Sequence, residues 1–224
     1  MTRKLWGLGV AVFVLTLLLN IPAAFVARFV PWTPDWQPVA VTGTVWKGRM
    51  DRLGPLGPLA WRFQPWIGQG DVTAGFQQRN WELQLNGWPW AWQAQLAPSA
   101  RQMTPLTGFV VDGDWQGSVH FKGSGATCRS SEGELRGRDL ALITPWTVVL
   151  GTAQLRLECR EGLRLLADVQ RDGEHRFEGW MEPAVGRIKL NGKVEPDAMV
   201  TPLLVQAGLL KVGASEFKRG WGGR

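Results

Sequence analysis

The sequence predicts a mainly β protein, in which one N-terminal transmembrane helix is followed by an antiparallel, twisted β-sheet or groove domain with a short C-terminal helix. Three observations predict this fold class. The chain of 224 residues opens with a long uncharged apolar run, it continues with alternating apolar and polar residues between turn residues, and only one later segment has helix start signals. The predicted boundaries are a cytoplasmic tail at 1–4, an anchor at 5–27, a linker at 28–38, a β-domain at 39–213 and a flexible basic tail at 214–224.

The N-terminal run has no charged residue from Leu5 to Ala27, a stretch of 23 positions. A helix of that length spans roughly 34 Å, enough to cross a hydrocarbon core of about 30 Å. Arg3 and Lys4 precede the run, so the positive-inside rule places the N-terminus in the cytoplasm and the remaining chain across the membrane. Bulky residues at the candidate cleavage positions favour an uncleaved anchor over a removable signal peptide, which is the alternative.

Alternation with period two predicts the strands of the β-domain. The clearest alternating runs are 153–159, 163–169, 175–181 and 187–194, with Gly-containing turns at 160–162, 171–173 and 184–186. Because antiparallel neighbours need only short loops, these four strands predict a meander. Earlier candidate strands are 39–50, 59–63, 71–77, 81–85, 92–96, 109–111 and 118–122.

Two local signals mark the remaining elements. Asp112-Gly113-Asp114 predicts a tight hairpin turn, since Asp-Gly is favoured there, and a cation held by the two carboxylates is the alternative. Thr201 as a cap and Pro202 at the first helical position predict a short helix that ends near Gly208 or Gly213.

The only two cysteines, Cys128 and Cys159, both follow the anchor. A pair of thiols in an oxidising compartment such as the bacterial periplasm predicts one disulfide bond. Two buried reduced thiols are the alternative.

Charge and side-chain chemistry exclude several classes of function. The net charge is +6, but seven of the 25 Lys and Arg and one of the 19 Asp and Glu lie in residues 1–28 and 211–224, so residues 29–210 hold 18 of each sign. A nucleic-acid-binding domain needs a concentrated basic face, which this balance does not favour. Neither His120 nor His175 has an adjoining catalytic signature, so we expect no enzyme, no metal site and no cofactor.

The chain carries 14 Trp, and a carbohydrate or lipid cleft is one interpretation of them. Trp81, Trp88, Trp90 and Trp92 could line such a cleft, and Trp81, Trp90 and Trp115 are the candidate residues of an apolar groove. A tryptophan-rich core or a membrane-facing sheet is the alternative.

Several short motifs occur in one order along the chain. They are Gly43-Thr44-Val45-Trp46-Lys47-Gly48, the segment from Leu59-Ala60-Trp61 to Pro65, the Leu-x-Leu-x-Cys strand that ends at Cys159, Lys189-Leu190-Asn191-Gly192, and Pro202-Leu203-Leu204. Together with the anchor, this order resembles the type II secretion system protein N family. The chain departs from the family pattern at Trp66-Ile67, where aliphatic residues are usual.

The resemblance implies an accessory component of the type II secretion system, a machine that exports folded proteins from the periplasm of Gram-negative bacteria. It implies a non-catalytic docking or assembly protein in the cell inner membrane, with its C-terminal domain in the periplasm and other secretion components as partners. The candidate docking strand comprises Val41, Gly43, Thr44, Val45, Trp46 and Gly48, since its glycines leave room for an incoming strand. A buried central strand is the alternative for these residues.

A second class of function stays open from the residues alone. A membrane-tethered β-groove that binds or transfers lipid has the same anchor and alternating strands. The two classes differ in the interior, because a lipid carrier keeps an apolar groove open and a docking module fills its interior with Trp and Leu.

Overall fold

The computed structural model describes residues 2–101, 110–144, 147–159 and 162–222. The strand predicted at 109–111, the turn at 160–162 and both terminal tails lie partly outside these residues.

The described chain is mainly β, as the sequence predicts. Its fifteen strands are β1 Pro38–Val39, β2 Thr42–Gly43, β3 Lys47–Met50, β4 Arg52–Leu53, β5 Leu59–Gln64, β6 Gln69–Phe76, β7 Arg79–Trp88, β8 Ala91–Arg101, β9 Val110–Ser124, β10 Thr127–Thr144, β11 Val148–Cys159, β12 Leu163–Arg171, β13 His175–Glu182, β14 Arg187–Val194 and β15 Glu216–Trp221.

Thirteen of these strands form one antiparallel sheet, and β1 and β4 pair separately. The sheet order is β2-β3-β5 and then every strand in sequence to β15, so the domain is a single long meander. The predicted meander in the second half of the chain is therefore confirmed as β11 to β14. The meander extends through the domain because most of the described strands are joined to their neighbours by short loops, whereas a longer segment that includes the C-terminal helix connects β14 to β15.

Three strand predictions need correction. The single strand predicted at 39–50 is divided into β1, β2 and β3, because the chain reverses at 44–46 and β2 pairs back on β3. The turn predicted at Asp112-Gly113-Asp114 is wrong, since these residues lie inside β9, which pairs with β10 along its length. The strand β10 itself has no counterpart among the predicted strands.

The apolar N-terminal segment is divided into two helices, α1 Thr2–Leu19 and α2 Ala23–Ala27. The single helix expected over 5–27 breaks at Pro22, which has an extended backbone with φ −66° and ψ 131° and no N–H group with which to continue the α-helical hydrogen bonds. Among the described residues, no helix combines the length and apolar character needed to cross a membrane.

The C-terminal region holds the main cluster of buried residues. The predicted short helix is confirmed as α3 Thr201–Gln206, with Pro202 in its first turn. The predicted cap is wrong, because Val200 is the N-cap residue and the Thr201 hydroxyl donates to the Glu195 carbonyl oxygen instead. Leu204 and Leu210 pack there with Val148, Val194 and Phe217.

The flexible tail predicted at 214–224 is wrong for most of its length. Residues Glu216–Trp221 form β15, which pairs with β14 and ends the sheet. Phe217 explains this difference, because the residue is only 7% exposed and its burial in the cluster holds the strand in place.

The chain exposes far more surface than a globular protein of its mass. The accessible surface is 15176 Å², whereas a compact monomer of 24.9 kDa exposes about 10,000 Å². Part of the excess belongs to α1, whose apolar side chains are exposed. The rest follows from the architecture, since a single sheet leaves much of its surface without a second layer.

Candidate functional site: the apolar face of the sheet

The two faces of the sheet have opposite chemistry. Side chains of directly paired residues lie on the same face, and alternate residues of a strand lie on opposite faces. One face carries the paired rows Val72–Leu83–Leu96–Val119 and Leu157–Leu165–Met181–Ile188. The pair Leu135–Leu155 joins the two halves. We call this surface, from β5 to β14, the apolar face.

The opposite face is polar along the same strands. Its paired rows include Asp71–Gln84–Gln95–His120–Glu132 and Gln154–Asp168–Glu178–Asn191. This polar surface carries ion pairs, among them the one between Arg176 and Asp168 at 3.0 Å. Water can solvate this face fully, so only the apolar face requires a covering layer or a ligand.

The apolar face lacks a covering layer over most of its length. Within the described chain, the segment from α3 to Leu210 packs only at the C-terminal end, around Val194 and Phe217. Val119 and Leu135 are the exceptions, at 1% and 2% exposed. Most other members, such as Leu83, Leu155 and Leu165, are half-buried.

Glycines on the apolar face lie beneath aromatic rings. Gly70 is paired with Phe63, and Gly123 is paired with Trp92. A Cβ at either glycine would overlap the ring of its partner. The same arrangement recurs at Gly48 with Trp61 and at Gly192 with Phe177 and Phe217. Glycine at these positions lets an aromatic ring of the neighbouring strand lie directly against the backbone.

The structure brings two of the three predicted groove tryptophans together. Trp81 and Trp115 meet edge to face with their ring centroids 5.6 Å apart, and both lie on the apolar face. Trp90 does not join them. It lies in the turn between β7 and β8, is 67% exposed and stacks on Trp88. Trp92, also a candidate from the sequence, lies in the lining instead, with its ring centroid 5.9 Å from that of Phe121. Phe121 was not predicted, although alternation within its strand could have identified it.

The candidate docking strand lies at one edge of the sheet, but it is not a continuous strand. Gly43 of β2 pairs with Gly48 of β3, while residues 44–46 form the connecting turn. Val41 precedes β2 and is half-buried. A cleft of about 560 Å³ opens at this edge beside Gly43, Gly48 and Trp61.

The predicted disulfide is confirmed. Cys128 in β10 and Cys159 at the end of β11 are bonded, with their Cα atoms 5.2 Å apart. The bond ties two neighbouring strands of the sheet at the C-terminal end of β11.

One buried histidine lies where the apolar face meets the C-terminal cluster. The Nε2 atom of His175 is 3.2 Å from the carbonyl oxygen of Leu150, so Nε2 carries the proton and donates it. Among the described residues, its Nδ1 atom has no hydrogen-bond partner. Burial lowers the pKa of His175, and the charge of Arg171 lowers it further, while the Leu150 carbonyl and Glu174 act in the opposite direction.

We expect the folded protein to lose stability on acidification through His175. Its folded pKa lies below the ordinary value of about 6.5, so below that value the unfolded chain binds more protons and unfolding becomes more favourable. The free energy of unfolding should therefore fall as the pH drops through about 6.5, and should be independent of this group above it. Urea midpoints across that range, compared between wild type and His175→Phe, measure the difference. His120→Gln, which removes an exposed histidine, is the control and should keep the wild-type dependence.

The described residues contain no group of three or more His, Cys, Asp and Glu placed to hold a metal ion. Fold and site together define a single-sheet β protein with one uncovered apolar face. No family model, curated protein or solved structure matches the chain.

Proposed function

We propose that this protein is a membrane-tethered β-groove protein that binds the acyl chains of a lipid on its apolar face. The single observation that carries the proposal is the apolar face itself, which continues across ten strands from β5 to β14. A docking module with a filled interior would need a second layer there. The half-buried Leu83, Leu155 and Leu165 support an open surface instead.

The chemistry of this face favours an acyl chain over a peptide. A bound peptide needs partners for its backbone N–H and C=O groups, and the paired strands of the sheet have already used theirs. An acyl chain needs only apolar contact, and each Å² of apolar surface buried contributes roughly 25 cal/mol of binding free energy. Ten strands at about 4.8 Å spacing span roughly 43 Å, a length that suits an extended flexible ligand.

The same proposal includes the anchor, with the N-terminus in the cytoplasm and the β-domain in the periplasm. Its support is the uncharged run from Leu5 to Ala27 and the exposure of the side chains on α1, where Phe13 is 64% and Leu15 is 56% exposed. Apolar side chains exposed around a helix need an apolar environment. A reporter active only in the periplasm, fused after Arg224, should be active, and the protein should resist carbonate extraction. Release of a shortened soluble chain would establish a cleaved signal instead.

Photo-crosslinking tests the lipid proposal directly. A benzophenone side chain at Trp81 or at Trp115 should capture lipid in cells, and mass spectrometry should identify the adduct. Trp180 is the matched control, because it lies on the polar face beneath Arg164 and Lys189. Lipid recovered from the two groove positions and not from Trp180 supports the proposal. Equal recovery from all three positions, or from none, contradicts it.

A second candidate function is the accessory, non-catalytic role in type II secretion. Two observations favour it: the ordered motifs from Gly43 to Leu204, and the position of β2 at the edge of the sheet, where an incoming strand could pair. A cysteine at Thr42, on that edge, should crosslink to another inner-membrane secretion component. A cysteine at Lys218, on the opposite edge strand β15, is the control. Crosslinks from neither position, with export unchanged on deletion of the gene, would contradict this role.

A further inference from the structure

We propose that one end of the sheet rests on the phospholipid surface of the membrane that holds the anchor, through the turns at 44–46, 65–68 and 88–91. We call these turns the anchor-side rim. The inference rests on the anchor of the proposed function and adds the surface that orients the groove.

The anchor-side rim exposes large apolar side chains at the tips of its turns. Trp66 is 60%, Ile67 is 53% and Trp90 is 67% exposed. Trp88 and Trp90 stack face to face, with centroids 5.5 Å apart and ring planes at 3°. Trp66, Ile67 and Trp90 lie in turns and Trp88 ends β7, so all four lie outside the alternating rows of the apolar face. Exposed indoles favour the headgroup level of a bilayer, where the ring is apolar and the N–H group can reach water.

The same rim is where the N-terminal segment joins the sheet. The Trp46 indole Nε1 donates to the carbonyl oxygen of Leu18 at 2.8 Å. The backbone N–H of Val45 donates to the carbonyl oxygen of Ile21 at 3.1 Å. The last turn of α1 is therefore fixed to the 44–46 turn. An anchor leaving a bilayer at this point brings the rim to the bilayer surface.

Backbone hydrogen bonds link the turns of the rim to one another. The N–H of Phe63, next to the 65–68 turn, donates to the Trp46 carbonyl oxygen at 2.6 Å. The N–H of Gly87 donates to the Gly68 carbonyl oxygen at 2.7 Å. The exposed tryptophans are therefore placed by the same set of contacts that holds the end of α1.

The charge beside the rim complements an anionic surface. Within three residues of the turns at 44–46, 65–68, 88–91 and 125–126, the described chain carries one carboxylate, Asp71, and five exposed cations, Lys47, Arg49, Arg62, Lys122 and Arg129. The 125–126 turn belongs to the same end of the sheet, since the N–H of Gly125 donates to the Pro89 carbonyl oxygen at 2.6 Å. Anionic phospholipid headgroups attract such a cluster.

This orientation has a consequence for lipid entry. Trp61 and Phe63 on β5, which begin the apolar face, lie within a few residues of the 65–68 turn. An acyl chain leaving the bilayer at the rim would meet the apolar face without crossing water.

Fluorescence depth measurement tests the proposal on the full chain. Single cysteines at Leu15, Trp90 and Val212 are labelled with an environment-sensitive dye, with the native disulfide left oxidised. Val212 is the matched control, because it is 88% exposed and lies in the segment between β14 and β15, at the opposite end of the sheet. The protein is reconstituted in phosphatidylcholine–phosphatidylglycerol vesicles whose acyl chains carry bromine near the glycerol end.

We expect blue-shifted, strongly quenched emission at Trp90, and unshifted, unquenched emission at Val212. A quenched dye at Leu15 with water-like emission at both other positions overturns the rim proposal and leaves the anchor standing. Water-like emission at Leu15 contradicts the anchor. In that case a quenched dye at Trp90 still supports contact between the rim and the membrane, and an unquenched dye there overturns it. If quenching at Trp90 persists in uncharged vesicles, the indoles make the membrane contact. If quenching is lost in uncharged vesicles, the cations make it. Trp66→Cys repeats the measurement on the neighbouring turn.

Discussion

Reduction of the Cys128–Cys159 disulfide is expected to lower the free energy of unfolding by about 3–4 kcal/mol. The two cysteines are 31 residues apart, and the bond removes the entropy of that loop from the unfolded chain. This loss is a large fraction of the total free energy of unfolding, which for a domain is only about 5–15 kcal/mol. Few residues of this sheet are fully buried, so little else compensates for the loss.

Urea unfolding with and without reductant measures this difference. The double variant Cys128→Ser/Cys159→Ser should match the reduced wild type and should not respond to reductant. A maleimide applied to the unfolded, unreduced wild type should add no mass. Two labels per chain under those conditions would show that the bond does not form.

Alternation predicted the second half of the sheet well, because its sequence contains nearly all the information needed. From Leu155 to Val194, apolar and polar residues alternate almost without interruption, and Gly173 and Gly186 adopt positive φ in the turns that join the strands. Strand and turn signals agree there, so local sequence was sufficient.

The centre of the sheet was harder to predict, because its glycines serve long-range contacts. Gly113 was assigned to a turn, but it lies inside β9, where a Cβ would overlap Leu140 of β10. Gly117 and Gly133 also interrupt the pattern, each with positive φ within a long strand. A glycine that makes room for a residue on the next strand has the same local appearance as a glycine in a turn.

The candidate groove also depends on long-range pairing that local sequence does not reveal. Trp81 and Trp115 are 34 positions apart in sequence, and only the pairing of β7 to β10 places them on one face. By residue type Trp90 is an equally good groove candidate, but it lies in a turn. The edge position of β2 could not be inferred from its glycines, because it depends on the order of all thirteen strands.

A single charge on the apolar face should abolish most lipid capture. Leu155 is half-buried and is paired with Leu135 on one side and Ala167 on the other. Leu155→Glu places a carboxylate where an acyl chain would lie, and leaving such a group without a partner costs about 1–3 kcal/mol or more. We therefore expect lipid recovery from the Trp115 crosslinker to fall by about tenfold or more.

The neighbouring position supplies the control, because one step along a strand changes the face. Gln154→Glu adds a carboxylate on the polar face, between Arg136 and Asp168, where water and Arg136 accommodate it. This variant should keep wild-type lipid recovery, and Leu155→Met should keep it as well. Circular dichroism on all three variants separates loss of ligand from loss of fold. Equal recovery from a folded Leu155→Glu and from Gln154→Glu would contradict lipid binding on this face, since a carboxylate in the path of the acyl chain would then have no effect.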